Sequence, residues 1–351
     1  MSILRRVRED KASMIEMDNF SFAYPGNHST QAKGISLEIK ESETVLLLGP
    51  SGSGKSTLAL CLCGLIPHVV AGKMSGVVRI NGWDTQLTEP GELASCVGTV
   101  FQDPDAQTIM MTVEEEIAFG LENVGVSQSE MEDRITEALR TVGLSVQGNT
   151  PVDWLSGGQK QRLALSSILA MEPKVLVLDE PTANLDPAGT TEVFNALRRL
   201  KSSGDYTIVL IEHKLDELVD LVDRVIVMDK NGEKVCSGTP ETIFYDWAVE
   251  LERLGVWFPQ AVELTHKLQA AGFPIESRVL SMKQLADELR NSAPTLHADD
   301  EGILCLPIAS TASICEGSKA ASDSLPLLDI RPVGSPACKE GWLKPLKLQV
   351  R

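Results

Sequence analysis

An α/β fold with a parallel sheet is what this sequence predicts, on three observations. Four runs, "TVLLLG" (44–49), "KVLVLD" (174–179), "YTIVLI" (206–211) and "RVIVMD" (224–229), are strand-length and largely apolar, as strands buried on both faces are. Helix signals fall between them, and strands alternating with helices make a parallel sheet covered by helices. The glycine-rich "GPSGSGKST" (49–57) joins the first run to a helix start, the strand–loop–helix context of a phosphate-binding loop.

The elements follow in order. Residues 14–49 read as short strands, among them "ISLEI", and "GVVRING" and "VGTVF" extend the strand texture before helices take over. Thr112-x-x-Glu115 and Ser127-x-x-Glu130 are capping-box patterns. The first precedes Val113, Ile117, Leu121 and Val124; the second precedes Met131, Ile135, Ala138, Leu139 and Val142; each set lies on one helical face. A helical subdomain is therefore expected over about 112–170. A helix from Pro187 with Asp186 as its cap follows "KVLVLD", and "EKVCSG" is the last strand. Beyond residue 240, Ala261, Leu264, Leu268 and Ala271 form one helix face closed by Gly272 and Pro274. Met282, Leu285, Ala286 and Leu289 form another, with Ser281 and Gln284 as a capping box. Residues 291–325, rich in Ser, Ala and Asp without periodicity, have the composition of a disordered linker.

Composition narrows the function. At 351 residues, 43 % hydrophobic and 23 % charged, the chain has a substantial core. The net charge of −17 speaks against a nucleic-acid surface, which needs clustered Lys and Arg. Seven scattered cysteines have neither zinc-site spacing nor a paired count, so buried or idle thiols are expected. The first residues lack a signal peptide's apolar core, and no run approaches a membrane span. A chain soluble by itself is expected, with any membrane attachment supplied by other subunits.

The loop "GPSGSGKST" fits G-x-x-x-x-G-K-[ST] through Gly49, Gly54, Lys55 and Ser56. Its glycines let backbone N–H groups wrap a phosphate, Lys55 reaches the β/γ-phosphates, and the Ser56 hydroxyl can take one position on Mg²⁺. Such a site needs acids at a buried strand end, and "KVLVLDEP" supplies two. Asp179 is placed to hold the metal through water, Glu180 to orient and deprotonate the attacking water. A second phosphate-type helix start, "LSGGQ" (155–159), follows much later.

These motifs, in this order over residues 14–240, resemble the nucleotide-binding subunit of an ABC transporter, whose signature is "LSGGQ". The resemblance implies a P-loop ATPase core with an antiparallel β subdomain, a helical signature subdomain and a helical C-terminal extension. It implies ATP and Mg²⁺ as cofactors. ATP is held by the loop Gly49, Pro50, Ser51, Gly52, Ser53, Gly54, Lys55, Ser56 and Thr57, and sealed by Ser156, Gly157, Gly158 and Gln159 of a facing domain. With no blocking side chains, the signature helix would offer its backbone N–H groups to phosphate. Gln102 in "VFQDP" resembles the Q-loop glutamine that senses metal and water, and Asp186 closes a D-loop-like "ANLD". His213 in "LIEHKLDEL" resembles the switch histidine that contacts the γ-phosphate. Tyr24 in "FSFAYPG" resembles the aromatic that stacks on adenine, with a core tyrosine as the alternative.

"GLIPHVVAGKMSGVVRINGWDT", "VGTVFQDPDAQTIMMTVEEEIAFGLEN" and "LGVWFPQAVELTHKLQAAGFP" are similar to the energy-coupling factor (CbiO-type) importer ATPases. That resemblance implies uptake of a vitamin or metal ion at the cytoplasmic face of the membrane. The implied partners are a second ATPase domain, identical or different, a transmembrane coupling subunit and a substrate-binding membrane subunit. It makes residues 241–290 the helical extension. The acidic run Glu114, Glu115 and Glu116 either faces basic residues of the coupling subunit or is a solvated helix start. The alternative function is a soluble ABC ATPase of DNA repair or translation, but the interval from Lys55 to Ser156 has no room for a long coiled coil, and one full cassette is present. Residues 326–351 ("PLLDIR", "LKPLKLQVR") echo 13–18 and 32–40. They are either a truncated start of a second such domain or a chance match.

Overall fold

The computed structural model describes residues 12–26, 30–270, 273, 275–291, 297–298 and 304–305. The chain forms two compact units, 1–259 and 260–351. In the first, β1 (Ser13–Ala23), β2 (Ala32–Lys40), β4 (Lys73–Ile80) and β5 (Trp83–Asp84) make an antiparallel sheet ordered β2-β1-β4-β5. This is the antiparallel β subdomain. Strand β1 is one long element rather than short pieces, and its register with β2 and β4 shifts around Asn19, which has φ 46°.

The second sheet has the order β10-β9-β3-β8-β7-β6. Its strands are β3 (Thr44–Leu48), β6 (Val97–Val100), β7 (Val175–Asp179), β8 (Thr207–Ile211), β9 (Arg224–Met228) and β10 (Lys234–Gly238). All pairs are parallel except β10 with β9, so the expected parallel sheet carries one antiparallel edge. Strands β3, β7 and β8 are buried along their whole length, which explains their continuous apolar runs.

Helix α1 (Lys55–Leu62) lies in the core shared by the two sheets. Leu58, Ala59, Cys61 and Leu62 cluster there with Ile15, Phe20 and Phe22 of β1, Val45 and Leu47 of β3, and Val177 and Val209 of the parallel sheet. A helix buried all round shows no amphipathic stripe. Two short helical segments, α2 (Leu65–His68), broken at Ile66, and α3 (Pro90–Leu93), flank β4 and β5. The thiols of Cys61, Cys63, Cys96 and Cys236 are free, and burial pushes that of Cys236 up to about 11.

Helices α4 (Val113–Asn123), α5 (Gln128–Val142) and α6 (Gly157–Leu169) come next, and α5 and α6 pack against α7 (Pro187–Ser203). The Thr112 capping box forms, with its hydroxyl accepting from Glu115 N–H at 3.4 Å and the Glu115 carboxylate accepting from Thr112 N–H at 3.0 Å. The Ser127 box does not form. Its hydroxyl instead donates to the Glu130 carboxylate at 2.9 Å, a charge-assisted bond stronger than a neutral cap. Two of the three acids of the run are occupied as well. Glu116 is buried and accepts N–H bonds from Ile109 (2.9 Å) and Met110 (2.8 Å), while Glu115 serves the cap.

Helix α8 (Ala248–Leu254) ends the first unit's helices. The second unit contains α9 (Gln260–Ala270) and α10 (Met282–Asn291), with Ala261, Leu268, Phe273, Ile275, Val279 and Leu285 as its core and Leu264 and Leu289 packed on it. The Ser281–Gln284 box forms. Met282 is exposed rather than part of the apolar face. Ala271, Gly272 and Pro274 lie outside the described residues. Within the expected linker, Asn291 ends α10 and β11 (His297–Ala298) pairs antiparallel with β12 (Leu304–Cys305); the rest of it and residues 326–351 lie outside the described residues. No helix among the described residues is long and apolar enough to cross a membrane.

Candidate active site

Register builds the site. Leu47 of β3 pairs with Ile211 of β8, and Ile211 pairs with Asp179 of β7. These three strand ends therefore form one row at the carboxyl edge of the sheet, roughly 10 Å across at the usual strand spacing. Beside β7, Val100 of β6 pairs with Leu178 and sends the chain out to Gln102.

From β3 the chain enters the glycine-rich loop and then α1, with Gly54 as N-cap at φ 89° and no side-chain cap. A Cβ on Gly54 would lie 2.0 Å from the Gln31 carbonyl oxygen, so the position admits only glycine on both conformational and steric grounds. Without a capping side chain, the first-turn N–H groups of α1 stay available to an anion. Gly52 at the loop tip leaves open space where a Cβ would be, and Ser51 is exposed. The Lys55 ammonium donates to the carbonyls of Gly49 (2.8 Å) and Pro50 (3.0 Å) and reaches the Ser53 hydroxyl at 3.5 Å. Burial lowers its pKa, opposed by the charges of Glu180 and Asp179. This cradle fits a polyphosphate.

The acids stand opposite. Asp179 ends β7 and is 9 % exposed. Burial raises its pKa, opposed first by a hydrogen bond from Ser56 and also by Lys55 and His213. Among the described residues no cluster of three His, Cys, Asp or Glu could by itself hold a metal. An oxygen pair such as Ser56 and Asp179 suits Mg²⁺, which keeps several waters and takes further oxygens from phosphates.

Glu180 adopts φ 49°, a left-handed conformation that is strained for a residue with a Cβ. Its N–H donates to the Ile211 carbonyl at 2.8 Å. Its carboxylate is thereby held between two neighbours. Gln102 Nε2 donates to Oε2 at 3.0 Å, and His213 Nε2 lies 3.4 Å from Oε1. Lys55, Ser56, Gln102, Asp179, Glu180 and His213 thus form one group. Thr57 turns away from it, its buried hydroxyl 3.2 Å from that of Tyr24, whose ring meets Phe22 edge-on at 5.0 Å. Tyr24 is half-buried against the core, the alternative given for it, and its hydroxyl contact ties it to the start of α1.

Ser156, Gly157, Gly158, Gln159 and Asp186 form a separate group. The Ser156 hydroxyl accepts from Gln159 N–H (3.3 Å), and the Gln159 side chain accepts from Ser156 N–H (2.9 Å). This is a capping box. The two glycines differ. Gly158 is buried, and a Cβ there would lie 3.0 Å from the Gly189 Cα of α7, whereas Gly157 is exposed with only Leu185 Cδ2 at 3.6 Å. Close helix packing therefore requires a glycine at 158 independently of any ligand. Asp186 caps α7 through Gly189 N–H at 2.9 Å. Sequence reasoning missed Glu212 and Lys214, which flank His213 and bond to the turn after Glu180. Their place beside the histidine was the available signal.

Comparison with known proteins places the chain in a family. A family model described as ABC transporter matches residues 32–183. A protein of Pyrococcus abyssi described as an ABC transporter ATP-binding protein is 44 % identical over 278 residues, covering 79 % of this chain and 98 % of that protein. A Bacillus subtilis protein described as an HMP/thiamine import ATP-binding protein is 41 % identical over 73 % of this chain. The chain spans 47 % of that protein's length and 42 % of that of a Methanosarcina acetivorans relative. The structure of cbiO1 from Clostridium perfringens, part of the ABC transporter complex cbiONQ, superposes with a TM-score of 0.61 at 30 % identity, over 73 % of this chain and 100 % of that one. The chain therefore belongs to the ABC transporter ATP-binding proteins, which hydrolyse ATP, and within them it matches the energy-coupling factor, CbiO-type, ATPases.

Proposed function

We propose that this chain binds MgATP at a head-to-tail interface with a second ATPase domain, and that its hydrolysis drives uptake of a micronutrient, a vitamin or a metal ion. The observation that carries this reading is the Glu180 carboxylate held between Gln102 and His213, one residue beyond Asp179. A bound Mg²⁺ supplies charge neutralisation on the phosphates. The chain's residues do the rest. Loop amides from Gly49 to Thr57 and Lys55 hold the triphosphate, while Ser56, Asp179 and Gln102 orient the hydrated metal. Glu180 takes the proton of the attacking water. Gln102 and His213 fix its carboxylate, and His213 faces the γ-phosphate. Tyr24 offers a ring to the adenine. The signature residues Ser156, Gly157, Gly158 and Gln159, with the Asp186 turn, serve the nucleotide of the facing domain.

The ATPase domain spans 14–240, with its helical subdomain at about 112–170, and 241–290 forms the extension. The partners are a transmembrane coupling subunit and a substrate-binding membrane subunit, which place the chain at the cytoplasmic face. The cbiONQ complex to which cbiO1 belongs and the import role of the Bacillus relative support this reading. The test is Glu180→Gln. ATP binding is retained, hydrolysis falls by about 10²–10⁴-fold, and an ATP-dependent pair of domains accumulates in sedimentation. Retained turnover removes Glu180 from its role, and a strictly single species under ATP removes the shared site.

A further inference from the structure

We propose that Lys214 is a positioning residue that holds the turn carrying Glu180 against the strand end carrying His213; this deepens, and rests on, the reading of Glu180 and His213 as the hydrolytic pair. The turn after β7 begins with a strained residue and then runs through Pro181 to Asp186. A strained backbone persists only where its surroundings over-determine it. Within the turn, the bonds are Ala183 N–H to Glu180 O (3.1 Å) and Leu185 N–H to Thr182 O (3.3 Å). The rest of the restraint comes from the end of β8.

The Lys214 ammonium donates to the Thr182 carbonyl at 2.8 Å, the Leu185 carbonyl at 3.3 Å and the Thr190 hydroxyl at 3.1 Å. An ammonium has three donors, and all three are spent on this turn and the first turn of α7. On the other side of His213, buried Glu212 accepts from the Thr182 hydroxyl at 2.9 Å and from its own strand end, Lys214 N–H, at 3.2 Å. Thr182 is fully buried between the two. His213 therefore sits between two residues that both grip the Glu180 turn, and its 3.4 Å approach to Glu180 is set from the backbone rather than by the two side chains. Lys214 acts through placement.

The experiment compares Lys214→Ala, Lys214→Arg and Thr190→Val with the wild-type chain and Glu180→Gln, using MgATP in steady-state and single-turnover hydrolysis. Binding is followed with a fluorescent ATP analogue and folding by circular dichroism. Misplacing the pair by about 1 Å costs up to about 10²-fold in rate. Lys214→Ala is expected to lower kcat about 10- to 100-fold with KM and analogue affinity within about threefold. Lys214→Arg, whose N–H groups reach the same carbonyls, recovers at least about a third of kcat, and Thr190→Val loses about two- to threefold. Wild-type turnover in folded Lys214→Ala overturns the proposal. So does a kcat loss that only tracks the folded fraction and is not rescued by arginine. If Lys214→Ala does not fold, Thr190→Val decides, and unchanged kcat there overturns the proposal. A wild-type chain without turnover defeats the underlying reading of the site instead.

Discussion

Gly158→Ala separates packing from anion binding in the signature. The added methyl would sit 3.0 Å from the Gly189 Cα, with the Gly189 carbonyl carbon at 3.8 Å. That contact is backbone, so it yields only if α6 and α7 move apart. Overpacking of this kind costs about 1–3 kcal/mol. Replacing Gly by Ala in a helix recovers about 0.5–1 kcal/mol. The net loss is about 0–2.5 kcal/mol, centred near 1 kcal/mol, or roughly 2–4 °C in Tm for a domain of this size. The neighbouring Gly157→Ala meets only Leu185 Cδ2 at ordinary contact distance, 3.6 Å, and is exposed. It should leave Tm within about 2 °C, since surface substitutions usually stay within ~0.5 kcal/mol. The assay is thermal unfolding of both variants by circular dichroism, without nucleotide. A Gly158→Ala variant as stable as Gly157→Ala would refute the assignment of Gly158 to the α6–α7 contact.

Other expectations follow from the same geometry. Lys55→Ala removes the ammonium from the loop and should weaken nucleotide binding itself; unchanged affinity in calorimetry counts against the cradle. Asp179→Asn bears on pH. Burial raises the folded-state pKa of Asp179, so the folded state binds the proton more readily than the unfolded chain. Its contribution to stability is therefore lost as pH rises from the ordinary carboxylate range through the raised value. Asparagine removes that loss, so the variant should show a higher Tm at neutral pH and no Mg²⁺-dependent turnover, and a lower Tm contradicts the argument. Arg162 is buried, with Gly143 O at 2.7 Å and Glu192 at 2.6 Å. Because Glu192 is half-exposed, Arg162→Ala should cost about 1–3 kcal/mol in urea unfolding, below the loss from a fully buried pair.

Residues whose role depends on a local pattern are legible in the sequence. The strand runs around Leu47, Val177 and Val209 are apolar because their strands are buried, and burial writes itself into composition. The loop from Gly49 to Ser56, the Asp179–Glu180 pair and the caps at Thr112 and Asp186 carry their chemistry within a few residues, so spacing alone reveals them. Ser127 shows where such reading stops. Its pattern matches a capping box, but a hydroxyl chooses among partners by geometry, and the Glu130 carboxylate takes it. Likewise Glu116 reads as one acid of a charged run, yet it turns inward to two backbone N–H groups.

What the sequence determined alone was the order of the α/β elements, the phosphate cradle and the acids Asp179 and Glu180, because each depends on neighbours along the chain, while Gln102 and His213 were reached only through the family resemblance. The tertiary structure decided that β8 lies between β3 and β7. With β6 on the other side of β7, this brings Gln102 and His213 to the Glu180 carboxylate, although the three come from segments far apart in the chain. It also decided that one signature glycine is a helix contact and that Lys214 grips the turn of Glu180. These are relations across strands and between helices, set by register and close packing, and no local pattern of residues encodes them.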